Sequence, residues 1–279
     1  MLRLSLNGQW VMRKSTNKVP DKEGQNTAEC ISKGVPGRIP GSVYSFLLGS
    51  GLMEDPYYRD RELDALRLME DDYTFSREFA IDPSAGILPC VHQRLRFDGI
   101  DTLSEVRLNG VLLGLTDNMH ITWQFDVKGV LREGKNTLEV TILSPTRFIR
   151  NADREYHLGG SYESMRGFPH LRKAHCMFGW DWGPRLPDMG IFRDVILLGF
   201  DQARIDSVYV TQIHEKKKPD ALEADKVTLQ MDVQLQLDPH GIPAGCPFTS
   251  TEARVSSPWQ RSRTASQRSS SGSAVKERL

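Results

Sequence analysis

Apolar residues recur at every second position through most of the first two hundred residues, and long stripes of helical period are nearly absent. Such alternation describes strands with one face buried. Clear strand candidates are Thr74 to Ala80, Gln93 to Phe97, Ser104 to Leu108, His120 to Val127, Asn136 to Leu143 and Asp194 to Leu198. Asn109-Gly110 separates Glu105-Val106-Arg107-Leu108 from Val111-Leu112-Leu113, and this dipeptide predicts a tight hairpin because both residues can take positive φ. A second turn is expected at Glu133-Gly134-Lys135-Asn136. Strands this closely spaced, with turns between them, imply an all-β sandwich or jelly roll rather than alternating βαβ units.

One helix is predicted, from Ser42 to Gly49, where Ser42 can cap and Val43, Phe46 and Leu47 share a face. After Gly199 the alternation restarts at Ala203 to Val210, breaks at the charged stretch Glu215 to Lys218, and resumes from Val227 to Leu237. Two or three strands cannot bury both faces of a sandwich, so residues 201–238 read as an incomplete second β-domain. From Pro239 to Leu279 Ser, Arg, Thr and Gly dominate, and this tail is expected to be disordered. A natural linker and a truncation or frameshift scar both have this composition.

With 36 basic and 36 acidic residues, no overall field favours nucleic acid, an anionic membrane or an acidic substrate, whereas a neutral partner such as a sugar fits. Cys30, Cys90, Cys176 and Cys246 are widely scattered without a CxxC pair, and read as free thiols in a reducing compartment. Met1 leads directly into folded-looking sequence, without an apolar leader, a membrane-length run or an N-x-S/T acceptor, so a cytoplasmic location is the expectation.

Phe178-Gly179-Trp180-Asp181-Trp182-Gly183-Pro184-Arg185-Leu186-Pro187 is the chemically distinctive stretch. Glycines and prolines on both sides of the tryptophans discourage regular structure and predict a shaped loop. Indole faces suit the C–H surface of a pyranose, and a carboxylate between them can accept hydrogen bonds from sugar hydroxyls. The other reading is architectural: Trp180 and Trp182 plug one end of the sandwich while Asp181 ties down the loop through backbone amides. Composition alone leaves both open.

Six further segments occur in register with this loop: Leu6-Asn7-Gly8-Gln9-Trp10, Pro40-Gly41-Ser42-Val43, Glu54-Asp55-Pro56-Tyr57-Tyr58-Arg59-Asp60, Phe97-Asp98-Gly99-Ile100-Asp101-Thr102, Asp117-Asn118-Met119-His120 and Arg172-Lys173-Ala174. Together they resemble the amino-terminal domain of β-mannosidases of glycoside hydrolase family 2, over Leu4 to about Gly199. The resemblance implies a galactose-binding-like jelly roll over residues 1–200, the start of an immunoglobulin-like domain over 201–238, and a (β/α)₈ barrel that this chain lacks. It further implies that Asp181 hydrogen-bonds a terminal β-mannose, that Trp182 lines the pocket wall and that Trp180 supports the loop. Many family members carry tryptophan where Arg67 and Tyr73 stand here, so the likeness is loosest between Glu62 and Phe79.

Retaining glycosidases need two carboxyl groups about 5–5.5 Å apart, and in the family both lie in the barrel. A barrel takes roughly 250 residues, which leaves no room for one here, so no catalytic residue is assigned. Glu70-Asp71-Asp72 are read as a solvated turn leading into the Tyr73 strand. His170, His175 and Cys176 lack metal-ligand spacing, Asp98 and Asp101 read as turn-stabilising carboxylates, Lys216 to Lys218 as a solvated run, and Gly159-Gly160 lacks the lysine of a phosphate loop. No cofactor or metal is expected. The chain thus reads as the sugar-recognising front of an exo-acting β-mannosidase, with a stand-alone carbohydrate-binding module as the alternative.

Overall fold

The computed structural model describes residues 1–15, 30–215, 226–237 and 252–259, which fall into two compact units, Met1–Asp201 and Gln202–Leu279. The first unit is a sandwich of two antiparallel sheets. One sheet has four strands in the order β1 (Leu2–Ser5), β14 (Val195–Phe200), β6 (His92–Phe97) and β9 (Trp123–Asp126). The other has six, in the order β3 (Val35–Ile39), β2 (Gly8–Lys14), β5 (Tyr73–Ile81), β10 (Gly134–Ile142), β7 (Ser104–Leu108) and β8 (Val111–Thr116). Two short ladders complete the unit, β4 (Gly41–Ser42) with β13 (Gly190–Ile191) and β11 (Phe178–Trp180) with β12 (Gly183–Arg185).

Alternation in sequence becomes sidedness here. Leu138, Val140 and Ile142 of β10 are buried while Lys135, Thr137, Glu139 and Thr141 are not, and β6 and β7 behave alike through Leu95, Phe97, Val106 and Leu108. These inward residues form one continuous core with Trp10, Met12 and Phe75. Aromatic pairs within it meet edge to face, Phe46 with Phe75 at 5.3 Å and Phe97 with Phe125 at 6.1 Å between centroids. The predicted hairpin forms as β7–β8, with Asn109 at φ 53° and Gly110 at φ 82°. Asn109 is further held by its side chain, which donates to Val130 O and Asn136 Oδ1 and accepts from the Thr137 amide, all at 2.9 Å.

The predicted helix is α1 (Val43–Gly49), capped by Ser42, whose hydroxyl accepts from the Ser45 amide while Ser45 Oγ takes the Ser42 amide. Among the described residues, α2 (Glu62–Leu68) and α3 (Pro145–Glu155) were not anticipated. α3 starts with Ser144 as cap and Pro145 in its first turn, a signal that the sequence carried openly. The strand expected at His120 to Val127 is shorter, because the Asn118 side chain accepts from the His120 amide and turns the chain first. Glu70-Asp71-Asp72 is not a solvated turn. Asp71 and Asp72 are buried and pair with Lys14 at 2.7 Å and with Arg147, and Glu70 pairs with Arg150, so folding puts three cations from two other elements, β2 and α3, against this run. Tyr73 is fully buried and its hydroxyl donates to Leu68 O at 3.0 Å.

In the second unit β15 (Ala203–Glu215), β16 (Lys226–Leu237) and β17 (Glu252–Trp259) form one antiparallel sheet. The strands expected from Ala203 and Val227 are therefore present as a hairpin. Within the tail expected to be disordered, β17 is a departure: main-chain pairing to the open side of β16 places it despite its weak apolar content. The rest of that tail, the Lys216 to Lys218 run and Cys246 lie outside the described residues. No helix among the described residues is long and apolar enough to cross a membrane, and Cys30, Cys90 and Cys176 carry free thiols.

Candidate functional site

β11 and β12 make a hairpin in which Trp180 pairs with Gly183, so Asp181 and Trp182 are the two residues of its turn. Gly179 enters the turn at φ 101°, and a Cβ there would lie 2.7 Å from Arg185 Cγ and 3.3 Å from Glu163 O, so only glycine fits. Trp182 sits at φ 62°, in the left-handed region that a bulky side chain occupies at a cost of roughly 1 kcal/mol or more. Its indole is 98% exposed, and that of Trp180 65%. Asp181 is exposed, and its carboxylate has no hydrogen bond or ion pair among the described residues. The geometry is thus a turn that projects two indoles and one unengaged carboxylate into solvent. Trp180 was expected to support the loop; with its ring largely exposed, its support is limited to main-chain pairing with Gly183.

The hairpin is held from behind. Ser164 Oγ donates to Gly179 O at 2.8 Å and the Met165 amide to Phe178 O at 2.8 Å. Phe178 is fully buried with Ile149 and Leu171 in a small second core under α3. Arg185 Nε bonds Glu62 Oε1 of α2 at 2.6 Å, which braces the far strand. Along one side runs a groove of ≈ 540 Å³ between Tyr44 and Leu48 of α1, Tyr57, Met177, Pro184 and Leu186. Asp188 also lines it, and its Oδ1 accepts from the amides of Tyr44 at 3.1 Å and Met189 at 2.8 Å. Burial raises the Asp188 carboxyl to about 6, against the opposing pull of these hydrogen bonds and of nearby Lys173. Burial, and the Asp188 charge after it, pushes the Tyr44 phenol well above its ordinary range.

Segments far apart in sequence meet at the base of this hairpin. Asn118 bridges to Arg172, the Met119 amide donates to Arg172 O at 3.0 Å, and the Ala174 amide contacts Met119 Sδ at 2.9 Å. Asp101 exchanges main-chain hydrogen bonds with Gly190 at 2.8 and 3.1 Å, and its carboxylate takes the ammonium of Lys173. Ser42 and Tyr57, from two more of the segments singled out above, line the groove. Lys173 is fully buried and was missed as a contributor, because nothing local marks a lysine whose partner lies seventy-two residues earlier.

Other sequence candidates do not assemble. Among the described residues no three potential metal ligands come together. His175 packs edge-on against Phe168 at 4.8 Å, and His170 Nε2 is buried without a partner. Asp98 is engaged by Arg96 at 2.6 Å, and Asp101 by Lys173.

Two antiparallel sheets packed with a projecting β11–β12 hairpin place the first unit in the class of β-sandwich domains. Residues 10–193 match the glycosyl hydrolase 2 galactose-binding domain-like family, and the chain belongs to that family. It is 33% identical to the β-mannosidase of Mus musculus over 189 residues, which is 65% of this chain and 21% of the mouse protein. The β-mannosidase of Bos taurus is 32% identical over 192 residues, with the same shares covered. The matched part thus spans about a fifth of these relatives. Among solved structures, the β-D-mannosidase of Dictyoglomus thermophilum superposes with a TM-score of 0.73 at 27% identity, covering 93% of this chain and 31% of that one.

Proposed function

We propose that this chain is the sugar-recognising amino-terminal part of a retaining exo-β-mannosidase, acting on terminal β-D-mannose residues, with the hydrolytic carboxylates supplied by a barrel elsewhere in the same polypeptide. The observation that carries the reading is the hairpin turn. Trp182 is almost wholly exposed at a strained backbone angle, beside an Asp181 carboxylate with no partner among the described residues. A ring packed for stability is buried and a carboxylate that ties down a loop bonds its backbone; here both indoles and the carboxylate face solvent. In this reading Asp181 accepts hydrogen bonds from two mannose hydroxyls, Trp182 offers its face to the ring C–H groups, and Trp180 flanks them.

Hydrolysis by this chain alone is not expected, since the conspicuous acidic run Glu70-Asp71-Asp72 is committed to Arg150, Lys14 and Arg147. The fragment reading is favoured over a stand-alone binding module by β15, which exposes apolar side chains on both faces that a finished module would cover. Cys30, Cys90 and Cys176, free thiols among the described residues, fit a reducing compartment and support a cytoplasmic location. The test places Asp181→Ala at the matching position of a complete β-mannosidase. Turnover of an aryl β-mannoside should fall at least about a hundredfold, as for loss of a charged contact to the transition state, with the melting temperature nearly unchanged. Parallel loss of folding and activity would favour the architectural role.

A further inference from the structure

Lys173 and Asp188 stand at the two ends of the segment that carries the Trp180-Asp181-Trp182 hairpin, and one ammonium joins them. The Lys173 side chain is 0% exposed and its Nζ donates both to the Asp101 carboxylate and to the backbone carbonyl of Asp188. Asp101 is itself held to β13, since its amide and carbonyl pair with Gly190, and it lies a short loop beyond the end of β6. The neck of the loop is thereby closed at a single point. From that neck the hairpin reaches outward, braced by Ser164 and Glu62.

We infer that Lys173 is a positioning residue for the sugar-contacting hairpin, acting through the Asp188 carbonyl and the Asp101 carboxylate rather than by touching the sugar. This rests on the reading of the hairpin given above and adds the part that aims it. A buried ion pair is a poor source of net stability, because desolvation offsets much of its Coulombic attraction and an apolar pair of similar volume would hold the sandwich about as well. What an ammonium supplies that a methyl group cannot is direction: it fixes a carbonyl on one side of the loop and a carboxylate on the sandwich at once. Burial lowers the affinity of Lys173 for its proton, and the Asp101 carboxylate opposes that effect.

The test uses the whole chain and the double variant Lys173→Met with Asp101→Asn, which removes both charges and leaves neither buried alone. Amide exchange should rise about tenfold or more across Phe178–Arg185 and stay unchanged in β5 and β10. Asp101→Asn alone leaves the buried ammonium without its counter-charge and should raise exchange over the same stretch at least as much. Unchanged exchange in the hairpin, or equal loss of protection in hairpin and core, overturns the positioning role. The same samples, labelled with 5-fluorotryptophan and titrated with methyl β-D-mannoside, read the sugar contact separately. Shifts of the Trp180 and Trp182 signals in the wild-type chain that weaken in the double variant support both readings. A wild-type chain whose indole signals do not respond sinks the sugar contact, and exchange still decides the clamp; retained shifts with unchanged exchange sink the clamp alone.

Discussion

β14 and β15 follow one another in the chain with only Asp201 and Gln202 between them, and both are rich in β-branched and aliphatic residues. All six residues of β14 are buried, with Val195 and Leu197 facing the sandwich core. In β15, Ile205, Val208, Tyr209, Val210 and Ile213 are 44–70% exposed, on both faces of their sheet. Both strands have main-chain pairing among the described residues, β14 on both edges with β1 and β6, and β15 on one edge with β16. What differs is the second layer: β14 has one, and β15 has none among the described residues of its unit. Strand propensity decides that a segment pairs; burial is decided by what the rest of the chain brings against it.

The largest effect that separates the two strands comes from truncating inside the layered one. Leu197→Ala should cost about 3 kcal/mol in urea unfolding, as expected for a buried leucine that leaves a cavity. A loss below about 1 kcal/mol would mean that the sandwich closes over the gap. Asn109→Ala keeps the burial intact and breaks a turn, removing three side-chain hydrogen bonds at a positive φ; about 1–2 kcal/mol is expected.

A pH scan probes the buried polar part of the same unit. Asp188 has a folded pKa of about 6, above the usual 3.8, so the folded chain holds that proton more tightly than the unfolded one. Its contribution is full below about pH 4 and is lost as pH rises through 6, by roughly 1 kcal/mol once partial exposure is allowed for. Asp188→Asn should flatten that part of the melting-temperature profile, and an unaltered slope would remove Asp188 as its source. The smallest effect belongs to β15: Val208→Thr should change stability by less than about 0.5 kcal/mol, and a larger loss would reveal a layer covering that face.

Much of the sandwich was legible because its strands are half-buried, and half-burial writes a period of two into the sequence; β5, β6, β7 and β10 all came from it. α1 was legible from its Ser42 cap. α3 was missed although Ser144-Pro145 announces it, because its buried positions are few and its exposed face is mostly charged. The Asp71 and Asp72 pairings and the Lys173 clamp were illegible for another reason: whether a charge is buried depends on partners brought from other strands, and no local pattern encodes them. At the hairpin, residue types suggested the chemistry, while the outward display of both indoles emerged only from the paired strands.

The first strand of the chain closes on the last strand of the sandwich: Leu2 to Ser5 of β1 pair with Gly199 to Ile196 of β14, and the Val195 amide bonds Asn7 Oδ1 at 2.9 Å. During synthesis β1 must wait, without this neighbour, for nearly two hundred more residues to be added. At a synthesis rate of roughly 5–20 residues per second that wait lasts on the order of 10–40 seconds. Until then β1 has no strand to lie against, and the nascent chain carries an incomplete sheet.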